Sequence, residues 1–393
     1  MKHIVIDLIP LLPGGANGGA RIVALNLIQG FQTFANRSHT PWRFTLLVAP
    51  WNVKELEVYQ SNSISCHLIS DLTQEVRSLS DLFKKIRFKL SKSSFFPSLL
   101  HRLKADLLFC PFSNPSVTDS RIPCITIFHD LQHLVYPQFF SAIELKNRDQ
   151  YLKRMLELSR LIICVSKFSQ ESLHHYLKVS PEKTRFIYNY FPSHFNASLD
   201  SGNDRLHLLP LQNIQYLLYP ANYWPHKNHI NLLRAYRIYL DQCTDTIPFH
   251  LALTGSLTDA ETQLKTMVKN LDLDRYVHFL GYLDHSSLKW AWHHCKGLVF
   301  PSLYEGFGLP LVEAMSVCKP ILCSKIPSLE EVGENACLYF DPSLPESIAN
   351  QLLRFTLDHS LELNLINNGQ VRLRQFQSID TIEQYCSIFK AVL

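Results

Sequence analysis

Short apolar runs rich in β-branched residues alternate with longer stretches of helical periodicity along almost the whole chain. HIVIDLI (3–9), RFTLLVA (43–49), ADLLFC (105–110), PCITIF (123–128) and LIICVS (161–166) read as one set of strands. YLLYPA (216–221), FHLALTG (249–255), VHFLG (277–281), GLVFPS (297–302) and PILCS (320–324) read as a second set. These runs are apolar at consecutive rather than alternate positions, so both faces of each strand should be covered. Strands of that kind separated by helices build parallel sheets of α/β type. Between the sets, SHFNASLDSGNDRLH (193–207) carries little apolar periodicity and several small and polar residues, and reads as a linker. The expected fold is α/β: two Rossmann-like, doubly wound parallel-sheet domains facing a central cleft, over 1–195 and 208–379. The opening MKHIVIDLIPLLPGG has the apolar character of a leader, but Asp7 interrupts it and two Pro follow; it reads as a buried first strand.

Composition narrows the class without changing this picture. A length of 393 residues suits two or three compact units, and 46% hydrophobic against 18% charged residues excludes a disordered chain. With Lys+Arg 38 against Asp+Glu 34, the net charge of +4 is too mild for a dedicated nucleic-acid binder, so no nucleic-acid partner is expected. Ten Cys occur without a CxxC pair, which fits reduced thiols in a cytoplasmic protein better than a zinc ribbon or a disulfide framework. No apolar run approaches the roughly 20 residues of a membrane span.

The richest segment is PSLYEGFGLPLVEAMSVCKPILCS (301–324). A strand should end near Ser302, a Gly-containing loop follow, and a helix begin near Pro310, a residue suited to a first turn. Glu305 then lies in the loop, and Glu313, eight positions on, about one turn inside the helix. Gly306 and Gly308 let backbone N–H groups approach a ligand closely. Those donors and the helix dipole suit a diphosphate. A carboxylate beyond such a site can accept both hydroxyls of a ribose, and the other can hold hydroxyls of a sugar.

This phrase, with Glu305 and Glu313 at E-x7-E spacing, resembles the retaining glycosyltransferases of family 4, which have the GT-B fold. The resemblance extends over nearly the whole chain. It implies a nucleotide-diphosphate sugar donor, GDP-mannose or a UDP-sugar, held by the second domain, and a glycan or lipid-linked acceptor at the first. By the same likeness Glu305, His129 and Lys227 would be the catalytic residues. Glu313 would hold the ribose and Glu305 the donor sugar. Gly306, Phe307, Gly308 and Leu309 would line the diphosphate, and Gly281 and Tyr282 the base. YPANYWPHKNHINLLRAY (219–236) is similar to the family's first donor-domain strand and loop; Lys227 would contact the diphosphate, and Asn222 stands near where many members carry Arg. LPGGANGGARIVALNLIQGF (12–31) is similar to its N-terminal Gly-rich loop, bringing Gly14 and Gly15 to the donor. TIFHDLQH (126–133) supplies His129 at a strand end, and VSKFSQESL (165–173) places Ser166 after a strand with Ser169 as a helix cap. Cys318 replaces the family's usual Gly. A last helix, about 380–393, would cross back onto the first domain. Other nucleotide-sugar enzymes of this fold, epimerase-like ones included, and a non-catalytic sugar-nucleotide binder are the alternative readings.

Apparent metal motifs are expected to be decoys, so no metal or other cofactor is assigned. HDLQH has His at i and i+4, but a strand precedes it and Pro137 follows too soon for a long helix. Asp272-Leu273-Asp274 should be a surface turn, and His293-His294-Cys295 should pack on a helix beside Trp290 and Trp292. Over 82–105 the cations Lys84, Lys85, Arg87, Lys89, Lys92, Arg102 and Lys104 interleave with Phe88, Leu90, Phe95, Phe96, Leu99, Leu100 and Leu103. This basic amphipathic stretch is expected to dock reversibly on anionic lipid, making the protein peripheral at the inner face of the membrane.

Overall fold

The structure, a computed structural model, describes residues 2–13, 17–37, 42–70, 95–192, 211–244, 246–255 and 259–393. It divides into two units, 1–192 with 377–393, and 193–376. The first contains a seven-stranded sheet: β1 (Lys2–Asp7), β2 (Trp42–Val48), β3 (Ile64–Leu68), β4 (Leu107–Cys110), β5 (Cys124–Phe128), β6 (Leu161–Cys164) and β7 (Thr184–Phe186), in the order β3-β2-β1-β4-β5-β6-β7. The second contains six: β8 (Tyr216–Pro220), β9 (His250–Thr254), β10 (Val277–Gly281), β11 (Gly297–Phe300), β12 (Ile321–Ser324) and β13 (Cys337–Phe340), in the order β10-β9-β8-β11-β12-β13. Every pairing is parallel, and Ile4 in the middle of β1 faces Phe44 on one side and Leu107 on the other. The order reverses between β1 and β4, and again between β8 and β11. At such a reversal the loops leaving the carboxyl ends of the two strands diverge and open a crevice.

All ten expected strands are present, along with three that the pattern did not suggest: β3, β7 and β13. Each is the edge strand of its sheet. An edge is only partly covered, so its residues need not be continuously apolar; in β3, ISCHL, only the first residue is buried.

Five of the helices concern the site or the packing of the first unit: α1 (Gly19–Arg37), α2 (His229–Gln242), α3 (His285–His294), α4 (Leu309–Ser316) and α5 (Asp380–Val392). In the first unit α5 lies on α1. It buries Ile382, Tyr385, Cys386 and Phe389, the i, i+3, i+4, i+7 stripe of one helix face. Phe31 meets this stripe edge-on to Tyr385 at 6.0 Å and beside Phe389 at 5.8 Å. Gly30 sits opposite Ile382, and a Cβ there would overlap the Ile382 side chain. This contact is the reason the middle of a long helix tolerates glycine.

The linker 193–207 and residues 82–94 of the basic stretch lie outside the described residues. Of the described part, Leu99 and Leu100 are buried in the first unit's core with Val5, Leu47 and Leu108, and Leu103 packs against them. Leu99 and Leu100 do not face a bilayer as expected, because the hydrophobic gain of closing the core has already removed them from the surface, and Leu103 is half-buried beside them.

Candidate active site

At the β8/β11 reversal, two loops are stitched together before either reaches its helix. Tyr219, fully buried in β8, donates its hydroxyl to the Lys227 carbonyl at 2.6 Å. The loop between them turns where Asn222 O accepts the Trp224 amide at 2.9 Å, then closes in a 3₁₀ turn over Pro225–Lys227. Asn228 follows at φ 61, a left-handed conformation that Asn tolerates better than most residues. Its side-chain amide donates to Pro301 O at 3.0 Å and Pro342 O at 2.8 Å, tying this loop to those after β11 and β13. The Leu303 amide donates to His226 O at 2.8 Å from the other side. Lys227 therefore leaves a rigid base, while α2 begins immediately behind it.

From that base the Lys227 ammonium meets Glu305 at 2.5 Å, each side chain 14% exposed, and lies 5.4 Å from the Phe300 ring centre. Glu305 is in the loop after β11, as expected. Three residues later Gly308 takes φ +100, and a Cβ there would overlap Leu329, so both conformation and space call for glycine. α4 starts next, with Pro310 in its first turn. Pro310 lacks an N–H and the Leu311 amide donates to Gly308 O at 3.0 Å, so the Leu309 N–H and the helix dipole are what this helix start offers an anion. Phe307 turns inward, edge-on to Phe376 at 5.6 Å, and Leu309 is buried, so both can offer a ligand only backbone. Glu313, inside α4, is 4% exposed. Burial pushes its carboxyl up to about 7, and the Trp292 indole of α3 holds it below where burial alone would put it.

Gly281 ends β10 at φ 65 with open space where a Cβ would stand, and its carbonyl accepts the Gly255 amide at 2.9 Å. Tyr282 beyond it is 55% exposed. Gly255 packs so closely on the loop of Asn222 that a Cβ would lie 2.8 Å from Ala221 O. Sequence reasoning missed this seam and the aromatic groups around it. Buried Tyr223 stands beside Phe279, ring centres 6.0 Å apart, and its hydroxyl has no protein partner. His229 stacks on Tyr219 at 4.6 Å and is neutral, its value driven to about 3 by burial and by the Lys227 charge. The density of Tyr, Trp and His in YPANYWPHKNH was the available signal.

The remaining candidates belong to the first unit. His129 follows β5, and its Nε2 donates to Pro111 O at 2.8 Å; burial holds the ring neutral, below the ordinary histidine value. Asp130 braces the turn by accepting the Gln132 amide at 3.0 Å, and the helix after it, Gln132–Val135, is a single turn, as rejection of a metal motif required. Ser166, not Ser169, caps the helix Lys167–Leu177; it accepts the Ser169 amide at 2.9 Å, because the strand ends at Cys164 rather than at Ser166 as expected. Ser169 instead donates to His129 O at 3.1 Å. Gly14 and Gly15 lie outside the described residues. Asp272 sits in a left-handed turn before β10, and the His294 ring bonds Trp290 O at 2.9 Å on its own helix. Among the described residues no three His, Cys, Asp or Glu side chains converge as a metal site, and no helix is long and apolar enough to cross a membrane.

Doubly wound sheets with a cation, an acid and a helix N-terminus at a strand-order reversal have the architecture of nucleotide-handling enzymes. Comparison with known proteins narrows this class. The family described as Glycosyl transferases group 1 matches residues 208–372, and Glycosyltransferase Family 4 matches residues 17–192. Escherichia coli O-antigen chain mannosyltransferase B is 27% identical over 278 residues, which cover 68% of this chain and 70% of that protein. O-antigen chain mannosyltransferase RfbU of Salmonella typhimurium is 29% identical over 218 residues, 54% of this chain and 55% of that one. In overall structure the chain is similar to Anabaena Alr3699/HepE, solved with UDP and glucose, at TM-score 0.72 and 20% identity with both chains fully covered. The sucrose-phosphate synthase of Thermosynechococcus elongatus gives 0.75 at 19% identity, covering 100% of this chain and 99% of that one. The chain belongs to glycosyltransferase family 4 and has the GT-B fold.

Proposed function

We propose that this glycosyltransferase moves a hexose, mannose first among the candidates, from a nucleoside diphosphate onto a glycan or lipid-linked acceptor in cell-surface polysaccharide synthesis, with retention at the anomeric carbon. The observation that carries the reading is the meeting of Lys227 and Glu305 at 2.5 Å just before α4, with Glu313 buried inside that helix. The names of the O-antigen mannosyltransferases point to the sugar and the pathway class.

As the glycosidic bond breaks, negative charge grows on the leaving diphosphate. Lys227 and the Leu309 N–H, with the dipole of α4 behind it, are fixed partners for that charge, so no metal ion is needed there. Glu305 shares Lys227 in the resting site and turns to the hydroxyls of the donor sugar when the diphosphate takes the ammonium. Glu313 accepts the ribose hydroxyls. Asn222 supplies polarity but no second cation in the loop that holds Lys227. No side chain is assigned as a covalent nucleophile.

A thermal-shift panel of GDP, UDP, dTDP and ADP with their sugars identifies the donor. Incubation of that donor with candidate acceptors should then release the nucleoside diphosphate and give a product of unchanged anomeric configuration by NMR, equally well in EDTA. Release without a glycosylated product, an inverted product, or loss of turnover in EDTA restored by Mg²⁺ would each overturn part of this scheme.

A further inference from the structure

Glu261 stands in the first turn of the helix Asp259–Asn270, which follows β9, and is 4% exposed. One carboxylate oxygen, Oε1, meets the Lys265 ammonium one turn on at 2.7 Å. The other, Oε2, has no hydrogen-bond partner among the described residues. A buried carboxylate oxygen without a donor is costly, and a pairing with an exposed lysine does not require the acid to be buried at all. The surroundings carry a second such group. The Lys265 ammonium lies 5.5 Å from the ring centre of Phe279, and Phe279 stands beside Tyr223, whose buried hydroxyl also has no protein partner. β10 bulges at this point: Phe279 faces Leu253 and Gly281 faces Thr254, so β10 carries one extra residue. The bulge ends at Gly281, where a Cβ would meet open space. An acceptor without a donor, two aromatic rings and an open glycine thus gather at the carboxyl ends of β9 and β10, next to the loop that carries Lys227.

We propose that Glu261 reads the base of the donor nucleotide and that this base is guanine. The inference rests on the donor-site reading above and adds which nucleotide the site takes. Guanine alone among the common bases presents two donors side by side, N1–H and the 2-amino group, and a carboxylate accepts both with its two oxygens. Oε2 is free for one of them, and Oε1 keeps a lone pair beyond its bond to Lys265. Uracil sets its one N–H between two carbonyl oxygens, which a carboxylate repels. Adenine sets its amino group beside an acceptor nitrogen, with the same conflict. A base that lacks the paired donors leaves the buried acid unsatisfied, which is how a polar site rejects an analogue.

The test is equilibrium binding of GDP, IDP, XDP and UDP to the full chain by isothermal titration calorimetry. IDP keeps every group of GDP except the 2-amino, and XDP puts a carbonyl oxygen in its place. The wild type should bind GDP at least about tenfold more tightly than IDP or UDP, the effect of one hydrogen bond to a charged group, and XDP more weakly than IDP. In Glu261→Gln the side-chain amide can accept from N1–H and donate to the xanthine carbonyl, so the order of GDP and XDP should reverse. Wild-type binding of UDP or IDP as tight as that of GDP overturns the inference. So does a Glu261→Gln variant that keeps the wild-type order, whether or not it binds all four more weakly, since that means packing only. If none of the four binds the wild type, the donor-site reading itself fails. Should Glu261→Gln not fold, the wild-type ratios of GDP to IDP, XDP and UDP decide.

Discussion

Removing the Lys227 ammonium while keeping its length, as in Lys227→Met, leaves the Glu305 carboxylate with 14% of its side chain in water and no counter-charge. An exposed pair contributes about 0–1 kcal/mol, and an uncompensated buried charge costs about 3–5 kcal/mol. At this burial a loss near the middle, about 2 kcal/mol, is expected. For a unit of this size that lowers Tm by about 4–8 °C. Calorimetry should follow the transition that a bound nucleotide raises, since ligand binding marks the unit that holds the site. Glu305→Gln should cost about 1 kcal/mol or less, because a flexible Lys can bend its head group into water. The double variant should lose at least about 1 kcal/mol less than the two single losses added, since neither stranded charge is then present. Kinetics separate the roles further. Lys227→Met should slow turnover at least about tenfold, 1.4 kcal/mol of barrier. Glu305→Gln should slow turnover yet bind the nucleoside diphosphate as tightly as wild type or more so, because Lys227 is no longer shared. Strict additivity of the stability losses, or equal weakening of nucleotide binding by both variants, would refute the shared-cation argument.

Three other outcomes concern the first unit. Burial raises Asp7 from 3.8 to about 6, so its contribution favours the fold below the ordinary carboxylate value and is lost as pH rises through about 6. The fall in urea-unfolding stability between pH 4 and 7 should be roughly 2–3 kcal/mol smaller in Asp7→Asn than in wild type, and parallel curves would contradict this. Gly30→Val forces a side chain against Ile382 and should destabilise the first unit by about 1–3 kcal/mol while nucleotide affinity stays unchanged; an unaltered melt would show that α5 yields freely. Replacing Lys84, Lys85, Arg87 and Lys89 with Gln should abolish low-salt flotation with anionic liposomes, and a wild-type protein that never floats points to an acceptor met away from the bilayer.

The strands legible in the sequence are mostly those buried on both faces, where every position must be apolar. β3 and β7 escaped because an edge leaves some positions in water, β7 having only three residues, two of them exposed; β13, CLYF, is apolar and mostly buried, so edge exposure does not explain its omission. The places of Glu305 and Gly308 in the loop after β11, of Lys227 in the loop after β8 and of Glu313 inside α4 were legible for another reason: glycine and proline mark where strand, loop and helix change. The seam of Gly255 against the loop of Asn222 was not, because it joins residues far apart in the chain and leaves no local signature.

The same distinction separates knowing the site residues from knowing their resting charge. Lys227 and Glu305 are 78 positions apart, and nothing local to either loop says that they touch. The contact is made by distant anchors: Tyr219 on the Lys227 carbonyl, Asn228 on two prolyl carbonyls, and the Leu303 amide on His226. Once these hold the two loops together, the cation and the acid cancel, and the resting site presents a donor diphosphate with far less net positive charge than a lone lysine would. Tight resting binding would bring the ground state as close to Lys227 as the transition state. On the roles proposed above, a lysine released from Glu305 as the leaving diphosphate gains charge spends its attraction where the barrier is. On that proposed division of labour Asn222 adds no second fixed cation to hold the donor before reaction, so Asn222→Arg should tighten resting nucleotide binding.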